Sequence, residues 1–178
     1  MSESSKEQLV IQPLEGYHPQ IGWAMWMLED ARARTKRALR NLNPAHLDVA
    51  NEEGGHTIGT LLYHIAAIEM DWLYVEVLEK GRFHEIWDEE FPYEVRDENG
   101  KLTLVTGLSW ENHWNRLDKV RSHMLETFKD MTIEDFHRPR ICDDYDVSPD
   151  WVLHHLCQHE AEHRGELIAL RQYAEKQQ

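Results

Sequence analysis

The chain has 178 residues, of which 41% are hydrophobic, and its 33 acidic and 19 basic side chains give a formal net charge of −14. This length fits one domain with a full core, while the acidic balance argues against binding to nucleic acid or to an anionic lipid surface. Two cysteines, with no apolar stretch of signal-peptide or membrane-spanning length, indicate a cytoplasmic protein without a disulfide framework.

The first predicted helix covers about residues 18–42, where apolar side chains recur every three or four positions. Basic residues, Arg32 among them, gather in its last turns and suit the negative end of the helix dipole. Pro44 marks its end. Trp23 and Trp26 extend beyond one narrow apolar stripe, which is consistent with a homodimer formed through this helix.

The second predicted helix covers about residues 57–80, with a stripe of aliphatic residues and Gly81 as its stop signal. A long connection over residues 81–109 follows. Within it, two short runs flank Asn99 and Gly100, the strongest short signal for a hairpin turn. We therefore expect a small β-hairpin in this connection.

The third predicted helix covers about residues 109–131. Arg121 falls within its apolar stripe, and we expect the stem of this side chain to pack while its head reaches water. The fourth helix begins with Ser148 as its cap, Pro149 in its first position and Asp150 in its first turn.

These elements predict an all-α fold, a four-helix bundle in one domain over residues 1–178 with its core at about residues 15–175. The long crossover between the second and third helices carries the small hairpin. Because such a connection can cross the whole bundle, the second and third helices can run parallel.

Histidine is frequent, with 12 residues, and it is the commonest metal ligand in proteins. On the fourth helix, His155, His159 and His163 follow one another at four-residue spacing, so their rings lie on one face within the apolar stripe. His64 lies on the inward side of the second helix. A histidine from a facing helix, with two from the fourth, predicts a three-ligand metal site with open positions for water or substrate.

Other interpretations of these motifs stay open. Residues 159–163 spell the His-Glu-x-x-His pattern of zincin proteases, but only 15 residues follow His163, which leaves little room for a third ligand downstream. Glu160 and His163 also match one half of a di-iron site. Further matches to that half-site fall in predicted loops, at Glu53/His56 and Glu134/His137. Finally, the rings could hydrogen-bond to one another in a core without metal.

The second and fourth helices resemble those of the DinB/YfiT-like superfamily, which comprises small bacterial four-helix metal-binding proteins. The likeness spans about residues 15–172 and rests on two motifs. One is the run His64-Ile-Ala-Ala-Ile-Glu-Met-Asp-Trp72, and the other runs from His155 to Glu166. The family commonly has Gln where this chain has Glu166.

The resemblance implies that His64, His159 and His163 bind a divalent cation, and that His155 is a neighbouring or pocket residue. Zinc or nickel is the expected ion, and manganese and iron are also compatible with imidazole ligands. Family members include thiol transferases and isomerases that use small thiols such as bacillithiol or mycothiol. A low-molecular-weight thiol and a small-molecule substrate are therefore the implied partners.

These residues suggest a metal-dependent enzyme that activates a small thiol or water, a thiol S-transferase or a hydrolase, with His155 and Glu160 as candidate proton carriers. A non-catalytic metal-binding stress or sensor protein is the alternative. Cys157 lies about 200° around the helix from His159, so we expect it to face away from the metal. Cys142 falls in the loop before the fourth helix, and its role stays open.

Overall fold

In the part of the chain that the structure describes, four long helices and one short helix build the fold. The computed structural model describes residues 9–50, 55–81 and 87–177. The α-helices, α1 to α5 in chain order, are Pro19–Ala38, Ile58–Trp72, Trp110–Lys129, Ile133–His137 and Pro149–Lys176. The described residues also form a 3-10 turn at Pro44–His46 and a two-stranded sheet of β1 (Arg140–Ile141) and β2 (Asp146–Val147). The sequence did not predict α4 or the β1–β2 pair.

The long helices run in two parallel pairs. Helices α1 and α5 are parallel to each other, and both are antiparallel to α2 and α3. Between α1 and α5, Ala31 contacts Arg164 and Ala38 contacts Arg171, so the two helices run in the same direction. Between α2 and α3, Tyr63 contacts Arg116 and Glu69 contacts Arg121, so this pair is also parallel. The parallel course of α2 and α3 agrees with the crossover predicted from the long connection.

Capping side chains explain where the helices begin. At the start of α2, the Thr57 hydroxyl oxygen accepts a hydrogen bond from a backbone N–H three residues on. Ser109 and Asn112 form a capping box at the start of α3. Ser148 occupies the cap position of α5 as predicted, but its hydroxyl donates to the Asp150 carboxylate instead of accepting from the backbone.

The core lies between the four long helices and is mainly aliphatic. Burying each large apolar side chain contributes about 1.5–3 kcal/mol to folding. Fully buried residues from α1, α2 and α3 include Ile21, Met25, Leu28, Ile58, Leu61, Leu62, Met70, Leu117, Met124 and Phe128. Helix α5 adds Val152, Leu156 and Leu167. This arrangement confirms the all-α bundle.

Helix α2 ends earlier than the sequence predicts. It stops at Trp72 and continues as a π-helical turn, Leu73–Val77, before the chain turns through Glu79 and Gly81 with positive φ angles of 55° and 79°. A π turn is an irregularity that often occurs at functional sites. Here the turn contains Glu76, a carboxylate only 5% exposed.

The connection between α2 and α3 contains the predicted hairpin in a short form. One antiparallel bridge joins Arg96 to Leu102, and Gly100 adopts a φ of 75° in the turn between them. The Tyr63 hydroxyl of α2 donates to the backbone oxygen of Tyr93 at 2.7 Å and ties the connection to the bundle.

The surface of α1 bears two exposed apolar side chains, Trp23 and Met27. The homodimer through this helix stays a prediction. Within the described part of the chain, no helix combines the length and the apolar character needed to cross a lipid bilayer.

Two helical glycines offer a matched test of packing. A Cβ on Gly22 would lie 2.9 Å from the backbone oxygen of Leu14, whereas a Cβ on Gly165 would meet nothing within 4 Å. We expect Gly22→Ala to lower the free energy of unfolding by about 1–3 kcal/mol because backbone must move. Gly165→Ala should raise it by about 0.5–1 kcal/mol because Ala favours the helix. Urea denaturation measures both, and equal effects would contradict this packing argument.

Candidate metal centre

Three histidine rings converge between α2 and α5. Nε2 of His159 lies 3.2 Å from Nε2 of His64 and 3.1 Å from Nε2 of His163. The three potential ligand atoms all lie within 4.8 Å of one another. His159 and His163 occupy successive turns of α5, and the antiparallel α2 presents His64 opposite both. The structure thus brings together the three residues that the sequence predicted as ligands.

The two spacings that involve His159 match those of nitrogens around one divalent cation. With metal–nitrogen bonds of about 2.0–2.1 Å, two ligand nitrogens lie about 3.0 Å apart in octahedral geometry and about 3.4 Å apart in tetrahedral geometry. The observed distances of 3.1 and 3.2 Å fall between these values. Without a cation the nitrogens satisfy one another poorly, because a neutral imidazole nitrogen is either one donor or one acceptor, and His159 Nε2 faces two partners.

Burial keeps the two inner imidazoles neutral. Burial, together with a smaller effect of the neighbouring His163 ring, lowers the pKa of His64 to about 3 and that of His159 to about 3. Both side chains therefore keep a free lone pair at neutral pH, as metal binding requires. His163 reaches the surface, with 15% of its side chain exposed, so one side of the centre is open to solvent.

The Nδ1 atoms of His163 and His64, which point away from the shared centre, differ in their surroundings. Nδ1 of His163 lies 3.3 Å from Oε2 of Glu166. A carboxylate behind a ligand histidine orients the ring and increases its basicity. Nδ1 of His64 is buried and has no hydrogen-bond partner among the described residues. The departure from the family pattern at Glu166 therefore places a charged group behind one of the three candidate ligands.

A cleft of about 440 Å³ opens beside the histidines. Its walls include Leu61, one turn before His64 on α2, and Glu166 and Tyr173 of α5. Because Glu166 also contacts His163, the cleft adjoins the candidate metal centre. Glu166 is thus shared between the wall of this cleft and the His163 ring.

His155 stands outside the group of three. Its ring lies 4.6 Å from the Trp72 ring, stacks on Trp151 at 5.2 Å with an interplanar angle of 8°, and is 5.9 Å from the His159 ring. These are distances between ring centroids. His155 is therefore a neighbour of the centre, as the resemblance implied, and not a fourth member of the converging set.

Beneath the histidines lies a cluster of four buried charged side chains, one from each long helix, that the sequence did not predict. Arg32 donates to Glu160 at 2.9 Å and to Glu69 at 2.8 Å, and Arg121 donates to Glu69 at 2.7 and 3.0 Å and to Glu160 at 3.3 Å. Each of these side chains is at most 4% exposed. We call this set the ion-pair cluster.

The ion-pair cluster corrects several expectations. The head of Arg121 does not reach water, because buried carboxylates and the Leu28 carbonyl hold it inside the bundle. Arg32 is likewise a core residue and not a surface group at a helix end. Glu160 has both oxygens bound by guanidinium groups, which argues against its role as a proton carrier.

The same placement of Glu160 removes the basis of two alternatives, the zincin and the di-iron site. Both need this carboxylate at the metal, and the guanidinium groups of Arg32 and Arg121 hold it instead. Of the other half-sites, Glu53 lies outside the described residues. His137 ends α4, where it contacts Asp150 and Gln20.

Both cysteines are free thiols. Burial, with a smaller effect of nearby carboxylates and against the Arg121 charge, raises the pKa of Cys157 to about 11. Since the thiolate is the reactive form, this environment makes Cys157 a poor nucleophile at neutral pH. The expectation that Cys157 plays no nucleophilic part agrees with these surroundings.

Comparison with known families gives one match. The profile of the DinB superfamily matches residues 27–167. The matched region contains the three converging histidines and all four members of the ion-pair cluster. No curated protein sequence matches the chain.

Proposed function

The chain belongs to the DinB superfamily, and on this premise we propose that it is a metal-dependent enzyme that activates a small thiol or water for attack on a small electrophilic substrate. His64, His159 and His163 would hold the divalent cation. The reaction that we favour is thiol S-transfer, in which the thiol sulfur bonds to an electrophilic carbon of the substrate, the leaving group departs from that carbon, and the thiol proton is released. The two free cysteines fit the reducing cytoplasm that we propose as its location.

The convergence of three Nε2 atoms at 3.1 and 3.2 Å is the observation that carries the proposal. Three protein ligands leave coordination positions for a small molecule, whereas closed structural sites use four. The partly exposed side chain of His163 provides access from solvent to this centre. Imidazole suits zinc and nickel, our preferred ions, and also manganese and iron.

A divalent cation held by neutral ligands keeps its full positive charge and lowers the pKa of a thiol or water that it touches. The protein's own residues prepare this chemistry. Burial keeps His64 and His159 unprotonated, and Glu166 orients His163. The ion-pair cluster holds the Glu160 carboxylate away from the nitrogens, so no protein carboxylate of the cluster neutralises the cation.

The proposal predicts metal-dependent thiol transfer. Purified protein should carry about one divalent ion per chain by elemental mass spectrometry. It should speed the displacement of chloride from chlorodinitrobenzene by a small thiol such as cysteine or bacillithiol. Chelation should lower the enzyme-dependent rate at least about tenfold, and zinc or nickel should restore it.

Two outcomes would contradict this proposal. Bound metal with neither thiol transfer nor ester hydrolysis would assign the chain to the non-catalytic metal-binding class. Protein that neither carries metal nor binds added zinc or nickel would leave the histidines as core residues.

A further inference from the structure

Four aromatic rings gather where β2 approaches the junction of α2 and α5. Trp72 lies 6.3 Å from Tyr145, 5.5 Å from Trp151 and 4.6 Å from His155, measured between ring centroids. We call these four side chains the ring group. Trp151 is 48% exposed and Tyr145 is 47% exposed, so these rings lie at the surface and are not part of the closed core.

The ring group borders a cleft of about 360 Å³. Trp72, Tyr145 and Trp151 supply three of its walls, and Asp146 and Val147 of β2 complete the lining. Among the described residues, no Lys or Arg lines this cleft. The cleft therefore offers aromatic faces and a carboxylate to a ligand, without a competing positive charge on its walls.

Behind the cleft lies the Glu76 carboxylate, which has no ion-pair partner among the described residues. The Tyr145 hydroxyl donates to Oε1 of Glu76 at 2.7 Å. Oε2 of Glu76 is buried and has no hydrogen-bond partner among the described residues. Burial raises the pKa of Glu76, the bond from Tyr145 offsets part of this effect, and the nearby Asp71 adds to it. A positive charge in the cleft would relieve this unfavourable environment.

Electron-rich ring faces beside carboxylates form a recognised arrangement for organic cations, because the ring quadrupole attracts the positive charge. We propose that the ring group binds a quaternary or protonated ammonium group on the molecule that the metal centre transforms. This inference rests on the proposed function for the identity of that molecule, but the ammonium site itself stands on the ring geometry and the carboxylates. The net charge of −14 favours the approach of such a cation.

His155 connects the ring group to the metal centre. Its ring is 5.2 Å from the Trp151 ring on one side and 5.9 Å from the His159 ring on the other. A ligand whose ammonium group lies against Trp72 and Trp151 would therefore extend along His155 toward the candidate metal ligands. His155 does not line the cleft itself, but it packs against Trp72 and Trp151 and so helps to position these two rings.

The test uses choline and its neutral counterpart, 3,3-dimethylbutan-1-ol, which has a carbon in place of the charged nitrogen. Ligand-observed NMR titrations of the full chain should show choline binding at least about tenfold tighter than the neutral alcohol. Trp151→Leu should weaken choline binding by about three- to tenfold. Trp72→Leu provides a second variant should the first disturb folding.

Controls separate this site from the metal centre. Trp23→Leu removes a similarly exposed tryptophan of α1 and should leave choline binding unchanged. His159→Ala should also retain it, so a failure of the proposed metal chemistry would leave the ammonium site intact. Equal binding of choline and the neutral alcohol, or no choline binding by the wild-type chain, would overturn the inference while leaving the metal proposal in place.

Discussion

His159→Ala is expected to reduce bound divalent metal from about one ion per chain to below about a tenth. Its Nε2 is the central atom of the candidate site, 3.2 Å from that of His64 and 3.1 Å from that of His163. The variant retains two histidines whose Nε2 atoms would no longer share a neighbour. Because two histidines cannot surround the ion, the loss of this ligand should lower the metal affinity by more than the contribution of one metal–nitrogen bond.

Elemental mass spectrometry and thermal unfolding measure this effect. Wild-type protein should gain stability on addition of zinc, by about 4 kcal/mol at a free concentration of 1,000 times Kd, and the variant should gain almost none. His154→Ala is the matched control, because His154 is an exposed histidine of the same helix. Retention of metal by His159→Ala, or its loss from His154→Ala, would place the ion elsewhere.

Arg121→Leu is expected to destabilise the protein by about 3–5 kcal/mol, the cost of removing one partner from a buried ion pair. This guanidinium binds both oxygens of Glu69, one oxygen of Glu160 and the carbonyl of Leu28. Without it, two buried carboxylates would share Arg32 alone. Urea denaturation gives the change in the free energy of unfolding.

An exposed ion pair provides the control for this prediction. Lys36 donates to Asp118 at 2.6 Å, but the two side chains are 43% and 53% exposed. Lys36→Ala should therefore change stability by less than about 1 kcal/mol. If Arg121→Leu changed the free energy of unfolding as little as Lys36→Ala does, hydrophobic packing would compensate for the lost ion pairs, and the cluster would not be a main source of stability.

The ion-pair cluster also predicts acid sensitivity. Burial alone would raise the pKa of Glu69, but the charges and hydrogen bonds of Arg121 and Arg32 outweigh it and lower the pKa below the ordinary value of 4.5. The stabilisation by this carboxylate is present above the unfolded-state pKa and is lost as pH falls through the folded-state pKa. The stability gap between wild type and Glu69→Gln should therefore narrow below about pH 4.5, as urea titrations at several pH values would show.

Local signals account for the part of the structure that the sequence predicted. Apolar periodicity and capping residues depend only on residues close together in sequence, so they were sufficient to predict the four long helices. The four-residue spacing of His159 and His163 fixed their common face before any helix packing was known. The inward position of His64 on its own helix suggested a cross-helix site, and the resemblance to the DinB/YfiT-like superfamily selected His159 and His163, and not His155, as its partners.

The ion-pair cluster left no comparable signal. Glu69 and Arg121 are separated by 52 residues and Arg32 and Glu160 by 128, so no spacing rule relates them. The prediction that the Arg121 head reaches water was wrong, although an arginine in an apolar stripe usually extends to water. The carboxylates that bind it come from other helices, so only the packed bundle shows them. Similarly, residues 140–147 were too short and too polar to predict the β1–β2 pair.

The pairing of α1 with α5 has a consequence for the kinetics of folding. Contacts such as Arg32 with Glu160 join segments 128 residues apart, and the intervening chain must be brought into a closed loop before they form. Topologies dominated by such distant contacts fold more slowly than those in which each helix packs on its neighbour in sequence. During synthesis, the ion pairs of Arg32 and Arg121 with Glu160 can form only after α5 has been made, whereas Glu69 of α2 is available to both guanidinium groups earlier.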